Sequence, residues 1–113
     1  MTRKRVILEM GAGNDLHGKD YTKAACRAVD DALHHSSLVM IRTLGVNKND
    51  VLVNVTIGVQ QPNEVDPEIV KGKLPVGQVT VSAVKGGLDL PDRDSGDTLV
   101  IASAAIAVCL DFA

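Results

Sequence analysis

The side chains with chemistry to offer crowd into one stretch, EMGAGNDLHGKDYTKAACR, from Glu9 to Arg27. His17 is a candidate proton carrier, because an imidazole titrates near neutrality. Glu9 interrupts an apolar run; its carboxylate must be partnered or exposed, and a cation such as Lys23 or Arg27 beside it would hold it ionised. Lys23 and Arg27 stand one helical turn apart, so both can reach a single anionic group. Lys85, at the end of a later strand before Gly86-Gly87, is a further anion or oxyanion contact. The expected catalytic residues are therefore Glu9, His17 and Lys85. The expected substrate-binding residues are Gly11, Gly13, Asp15, Lys23 and Arg27. Strand end, glycines and helix N-terminus should converge on one cleft, where free N–H groups attract an anion.

Each of these residues also has a plainer reading. Gly11-Ala12-Gly13 follows a strand as a phosphate loop would, yet it lacks the third glycine of a dinucleotide fingerprint and the Gly-Lys-Ser/Thr of a P-loop. Its glycines then serve a sharp turn or a positive φ. Asp15, His17 and Asp20 are metal-ligand types without a ligand spacing, so neither a metal nor a cofactor is expected. Lys23 and Arg27 could simply be a solvated helix face. Ser82 and Ser103 lie outside any nucleophile-elbow sequence, which leaves a serine-hydrolase triad without support.

The elements that must position these groups follow from periodicity. Val6 to Met10 reads as a strand bounded by Gly11 and Gly13, and its near-continuous hydrophobicity predicts a central place covered on both faces. Asp20 caps a helix whose buried stripe is Tyr21, Ala25, Ala28, Val29, Ala32 and Ser36. A stripe of alanines lets a helix approach its sheet closely. Asp30–His34 and Asp31–His35 are i,i+4 pairs on its polar side. Leu38 to Leu44 is an apolar connection, and Gly45 to Asp50 a turn. Val51 to Val59 alternates cleanly, with Val51, Val53, Val55, Ile57 and Val59 on one face. Asp66 caps a short helix with Pro67 at its first position and a Val65–Val70 staple; Gly72 and Pro75 end it. Gln78 to Val84 is a strand with Val79, Val81 and Ala83 inside. Leu88 to Asp97 reads as a loop. Thr98 to Leu110 is long enough for a buried helix, but its Val, Ile and Thr favour a strand. The order is β-α-β-α-β-β, an α+β single domain spanning 1–113, with the helices on one face of a mixed sheet.

Composition narrows the partners. A formal net charge of −2 argues against nucleic-acid binding. The longest apolar run, Leu99 to Leu110, is too short to span a bilayer, and no signal peptide opens the chain, so a cytoplasmic protein without membrane contact is expected. Cys26 and Cys109 read as free thiols in a reducing compartment. With Tyr21 and Phe112 the only aromatics, the core is aliphatic, and strands apolar on both faces point to a homo-oligomer.

The stretch EMGAGNDLHGKDYTKAACRAVDDALHHSSL resembles a Lin-type family of conserved hypothetical bacterial proteins of this length. Its pattern is an acidic residue ending the first strand, then G-x-G-x-DLHG-x-D-x-TKAA-x-RAV-x-DA. Residues from Glu9, Gly11, Gly13, Asp15 and His17 through Lys23, Arg27 and Asp31 match it one by one. Gly86-Gly87 and the Asp-rich loop fit as well. This family brings no established activity. The element order is also similar, more distantly, to one domain of the ring-opening amidohydrolases (cyanuric acid hydrolase, barbiturase) and to the trimeric reactive-intermediate deaminases and chorismate mutase. That likeness implies a chorismate mutase-like fold, a trimer, and a site between subunits. The amidohydrolases use Ser–Lys pairs, and no serine here aligns with theirs.

The expected function is therefore binding of, or action on, a small anionic or cyclic-amide metabolite at a subunit interface, as in a ring-opening hydrolase. The alternative is a non-catalytic structural or interaction subunit.

Overall fold

The N-terminal strand does not stop at Gly11. In the computed structural model, which describes residues 2–34, 43, 45–74 and 77–112, β1 runs unbroken over Thr2–Asp15. Neither Gly11 nor Gly13 has positive φ. Both are strand glycines lying beneath a helix, so the expected turn gives way to close packing. That helix, α1 (Tyr21–His34), buries Tyr21, Ala24, Ala25, Cys26, Ala28, Val29 and Ala32. Its small side chains bring its backbone onto β1. A Cβ at Gly13 would lie 2.6 Å from Ala24 O, and one at Gly11 would lie 2.5 Å from Ala32 N.

After α1 come β2 (Val51–Val59), the short helix α2 (Pro67–Lys71), β3 (Gln78–Lys85), β4 (Leu88–Pro91) and β5 (Thr98–Phe112). The sheet order is β1-β5-β2-β3, with β4 also paired to β5. β2 and β3 are parallel, while β1, β2 and β4 run antiparallel to β5. The sheet is thus mixed, and both described helices pack on it, as the α+β pattern requires. The ambiguous apolar run from Thr98 is a strand and occupies the middle of the sheet, since β-branched residues suit a ladder paired on both sides.

Two expectations are corrected. β1 is an edge strand that the described residues cover on one face, with Val6, Leu8 and Met10 exposed on the other. The loop expected from Leu88 contains an additional strand, because Leu88 and Leu90 alternate around Asp89 and pair with Ile101 and Leu99. Asp30 also pairs with Lys73 Nζ, just beyond α2, at 3.3 Å. The readings of Leu38 to Leu44 (Thr43 apart), Ser36, His35 and Pro75 fall outside the described residues.

The core lies between sheet and helices. Val51, Val53, Val55, Ile57 and Val59 of β2 are buried there with Val100, Ala102, Ala104, Ile106, Val108 and Leu110 of β5. Asp66 caps α2 by accepting from Glu68 N at 3.0 Å, and Val65 and Val70 are both buried. Among the described residues every buried strand position is on the helical side, and none of them forms a layer on the opposite face of the sheet.

Candidate functional site

One row across the sheet gathers the acidic groups. Asp15, the last residue of β1, pairs with Val100, and Val100 pairs on its other side with Asp89 of β4. With strands about 4.8 Å apart, the two carboxylate residues stand roughly 10 Å from each other. The start of α1 lies over this row.

Asp15 is 2% exposed, and among the described residues it is the buried charged one. Its Oδ2 accepts from Asp20 N at 2.9 Å, closing residues 16–19 into a loop. Gly18 and Lys19 take positive φ within it, which lets the chain reverse between strand and helix. Asp20 then caps α1, its Oδ1 accepting from Lys23 N at 3.0 Å. Lys23 Nζ and Arg27 Nη1 converge on Asp15 Oδ1 at 3.7 and 3.8 Å. Arg27 Nη1 also donates to Asn14 O at 2.7 Å. The two cationic side chains are about half exposed, at 52% and 48%. Their shared partner is the protein's own Asp15, and that is the role the sequence reading gave to Glu9.

On the far side of Val100, Tyr21 Oη donates a short hydrogen bond to Asp89 Oδ2. Burial, then Asp89, then Glu64 push the Tyr21 hydroxyl up to about 12. The other oxygen, Asp89 Oδ1, is buried without a hydrogen-bond partner. A raised folded-state value means the neutral phenol is preferred in the fold. Its contribution is complete below the unfolded value near 10 and is lost as pH rises towards 12. Wild-type stability should therefore fall between pH 10 and 12. Tyr21→Phe should lower stability at pH 7 by about 1.5–3 kcal/mol, as expected for a buried hydrogen bond to a charged group, and flatten that alkaline slope. Urea melts across the pH range test both; a Phe variant that keeps the wild-type slope would refute the assignment.

His17 stands at the lip, 79% exposed, with Nδ1 3.0 Å from Asp97 Oδ2. Asp97 comes from a self-tied turn: Asp92 N donates to Asp97 O at 2.8 Å, and Ser95 Oγ donates to Asp92 Oδ2 at 2.8 Å. The Ser95 hydroxyl, with the Asp94 N–H, holds the Asp92 carboxyl below its ordinary value. Beside Lys23, a groove of about 430 Å³ runs between α1 and α2, lined by Asp20, Thr22, Lys23, Cys26 and Ile69. Burial pushes the Cys26 thiol up, which makes it a poor nucleophile.

The expected residues therefore part company. Asp15, Lys23 and Arg27 meet, and His17 is nearby at the lip. Glu9 lies mid-strand, six residues before Asp15 on β1. At about 3.3 Å per residue it is roughly 20 Å from the loop that carries His17. The single chain thus separates Glu9 from His17 instead of joining them in one cleft. Gly11 and Gly13 face α1, with its backbone filling the space a ligand would need. Lys85 ends β3, three strands across from β1 and so about 15 Å away. Tyr21, Asp89 and Asp97 were not foreseen. The signal for Asp89 was present in Leu88-Asp89-Leu90, a strand alternation with an acid on the inward side.

Among the described residues no group of three or more His, Cys, Asp or Glu could hold a metal ion. Among the same residues, no helix is long and apolar enough to cross a membrane.

Comparison with known proteins gives a family and a fold. The family of conserved hypothetical proteins designated Lin0512 matches residues 5–108. The crystal structure of an FtsZ-like protein of unknown function from Nostoc punctiforme PCC 73102 is similar over 99% of both chains, at 36% identity and a TM-score of 0.86. No curated protein matches the chain.

Proposed function

We propose that this chain, which belongs to the Lin0512 family of conserved hypothetical proteins, binds a small anionic metabolite where β1 hands over to α1. The observation that carries this is the pairing of two cations with one carboxylate oxygen. At 3.7 and 3.8 Å, Lys23 and Arg27 are longer than direct hydrogen bonds to Asp15. Both are half exposed and keep N–H donors for a second anion. Buried Asp15 positions the pair, and the groove beside Lys23 gives a ligand room. His17, held by Asp97, is the group within this loop that could carry a proton. Free Cys26 and Cys109 suit a reducing cytoplasm.

Binding is favoured over hydrolysis of a cyclic amide. Strand alternation puts Ser82 and Ser103 on the outer face of the sheet and Lys85 on the helical face, so these groups make no Ser–Lys pair.

Thermal-shift screening against small carboxylates, phosphates and cyclic amides tests the reading. A ligand at a hundred times its Kd stabilises by about 2.7 kcal/mol, or roughly 10 °C for a domain of this size. The shift should appear with an anionic compound and collapse in Lys23→Ala and Arg27→Ala. A shift that survives both substitutions, or arises only with neutral compounds, rejects the site.

A further inference from the structure

Away from one end, the face of the sheet opposite the helices is uncharged. Outward positions 8–14 of β1, 52–58 of β2, 78–84 of β3, 88–90 of β4 and 99–109 of β5 carry no Asp, Glu, Lys or Arg. Yet the chain holds 12 basic and 14 acidic residues, so a solvated face of this size would be expected to share them. The charges resume at one end, where Arg5 stands opposite Cys109 and Arg3 pairs with Asp111 at 3.1 Å. Large apolar side chains stand exposed on this same face: Leu8 at 43%, Met10 at 70%, Val84 at 48%, Leu88 at 50% and Leu90 at 47%. A sheet covered by helices on one face commonly turns a polar, solvated face outward, and a contiguous apolar patch in its place marks an interaction site.

We infer that the face is covered by the same face of a second copy of this chain. Three observations choose that occupant. First, the area fits: the uncharged ranges hold 35 strand residues, which at about 3.3 by 4.8 Å each give roughly 550 Å² per copy, or about 1,100 Å² for the pair, enough for a specific contact at the small end of the range. Second, electrostatics fit: an uncharged surface needs an uncharged partner, and a copy of itself meets that condition. Third, shape fits: a groove of about 550 Å³ floored by Ala12, Gly58, Thr56 and Ser103 opens beside the projecting Met10. Projection and groove on one surface are self-complementary under a two-fold axis, so each Met10 can enter the groove of the other copy.

The full chain, examined by light scattering and sedimentation at micromolar concentration, should have at least twice the monomer mass. Met10→Glu and Leu8→Glu each place a charge in the contact twice and should weaken self-association at least ~100-fold. Because both sites are already exposed in the single chain, far-UV circular dichroism and cooperative melting should persist. Ile69→Glu, at an exposed apolar residue on α2, should leave the mass unchanged. A monomeric wild type, or an oligomer that ignores both face substitutions while responding to Ile69→Glu, overturns the inference.

Discussion

Gly13→Ala is expected to destroy the native packing of α1 on the sheet. The new Cβ would fall on Ala28 N and lie 2.6 Å from both Ala24 O and the Arg27 carbonyl carbon. All of these are backbone atoms, which cannot rotate aside as a side chain can. The helix would have to lift as a unit, exposing Ala24, Ala28 and Ala32, each now fully buried. Ordinary overpacking costs about 1–3 kcal/mol where side chains can yield. Here the cost should exceed ~3 kcal/mol, a large part of the stability of a small domain. Gly11→Ala should behave alike, with its Cβ 2.5 Å from Ala32 N. Gly72→Ala is the control: its φ is −61° and its nearest contact, Ile69 O at 3.3 Å, asks for only a slight adjustment. Urea unfolding followed by circular dichroism gives the ranking. If the glycines instead served a ligand loop, Gly13→Ala would melt normally and lose only its ligand response.

These glycines also show where the sequence was legible and where it was not. Alternation in Val51 to Val59 is a local property, and the strand formed with the buried face it required. The caps at Asp20 and Asp66 are local too, and both side chains accept the expected backbone N–H. The helix's alanine stripe announced close approach to a sheet. What no local pattern stated was that the approach would occur over Gly11 and Gly13. Glycine in a strand and glycine at a strand end look the same until the covering helix is placed. Central or edge position was likewise hidden, because the apolar outer face of β1 imitates burial on both sides.

At the site, the residue types were found but their partners were exchanged. Glu9 and Asp15 both precede α1, and either could have been the buried carboxylate facing Lys23 and Arg27. The length of β1 decided it: with the strand continuing to residue 15, Asp15 sits under the first turns of α1 and Glu9 lies far down the edge. Tyr21–Asp89 joins positions 68 apart in sequence, and that pairing exists only because β4 docks against the start of β5.

Asp15→Ala is expected to cost about 2–4 kcal/mol. The wild-type carboxylate is buried, accepts from Asp20 N at 2.9 Å and faces Lys23 and Arg27 within 4 Å. Removing it leaves a backbone donor unpaired and two like charges without their common counter-ion. Breaking a fully buried pair costs about 3–5 kcal/mol, but the cations here are half exposed and partly served by water, which lowers the figure. Asp15→Asn keeps an oxygen for Asp20 N while discarding the charge, so it should fall between Ala and wild type. The difference between the two variants separates the hydrogen bond from the electrostatics. A double-mutant cycle with Arg27→Ala should give a favourable Asp15–Arg27 coupling, because Arg27 Nη1 lies 3.8 Å from Asp15 Oδ1. If Asp15→Ala melted within ~0.5 kcal/mol of wild type, Asp15 would not be what ties β1 to α1, and the cations it gathers would lose their claim to a built site.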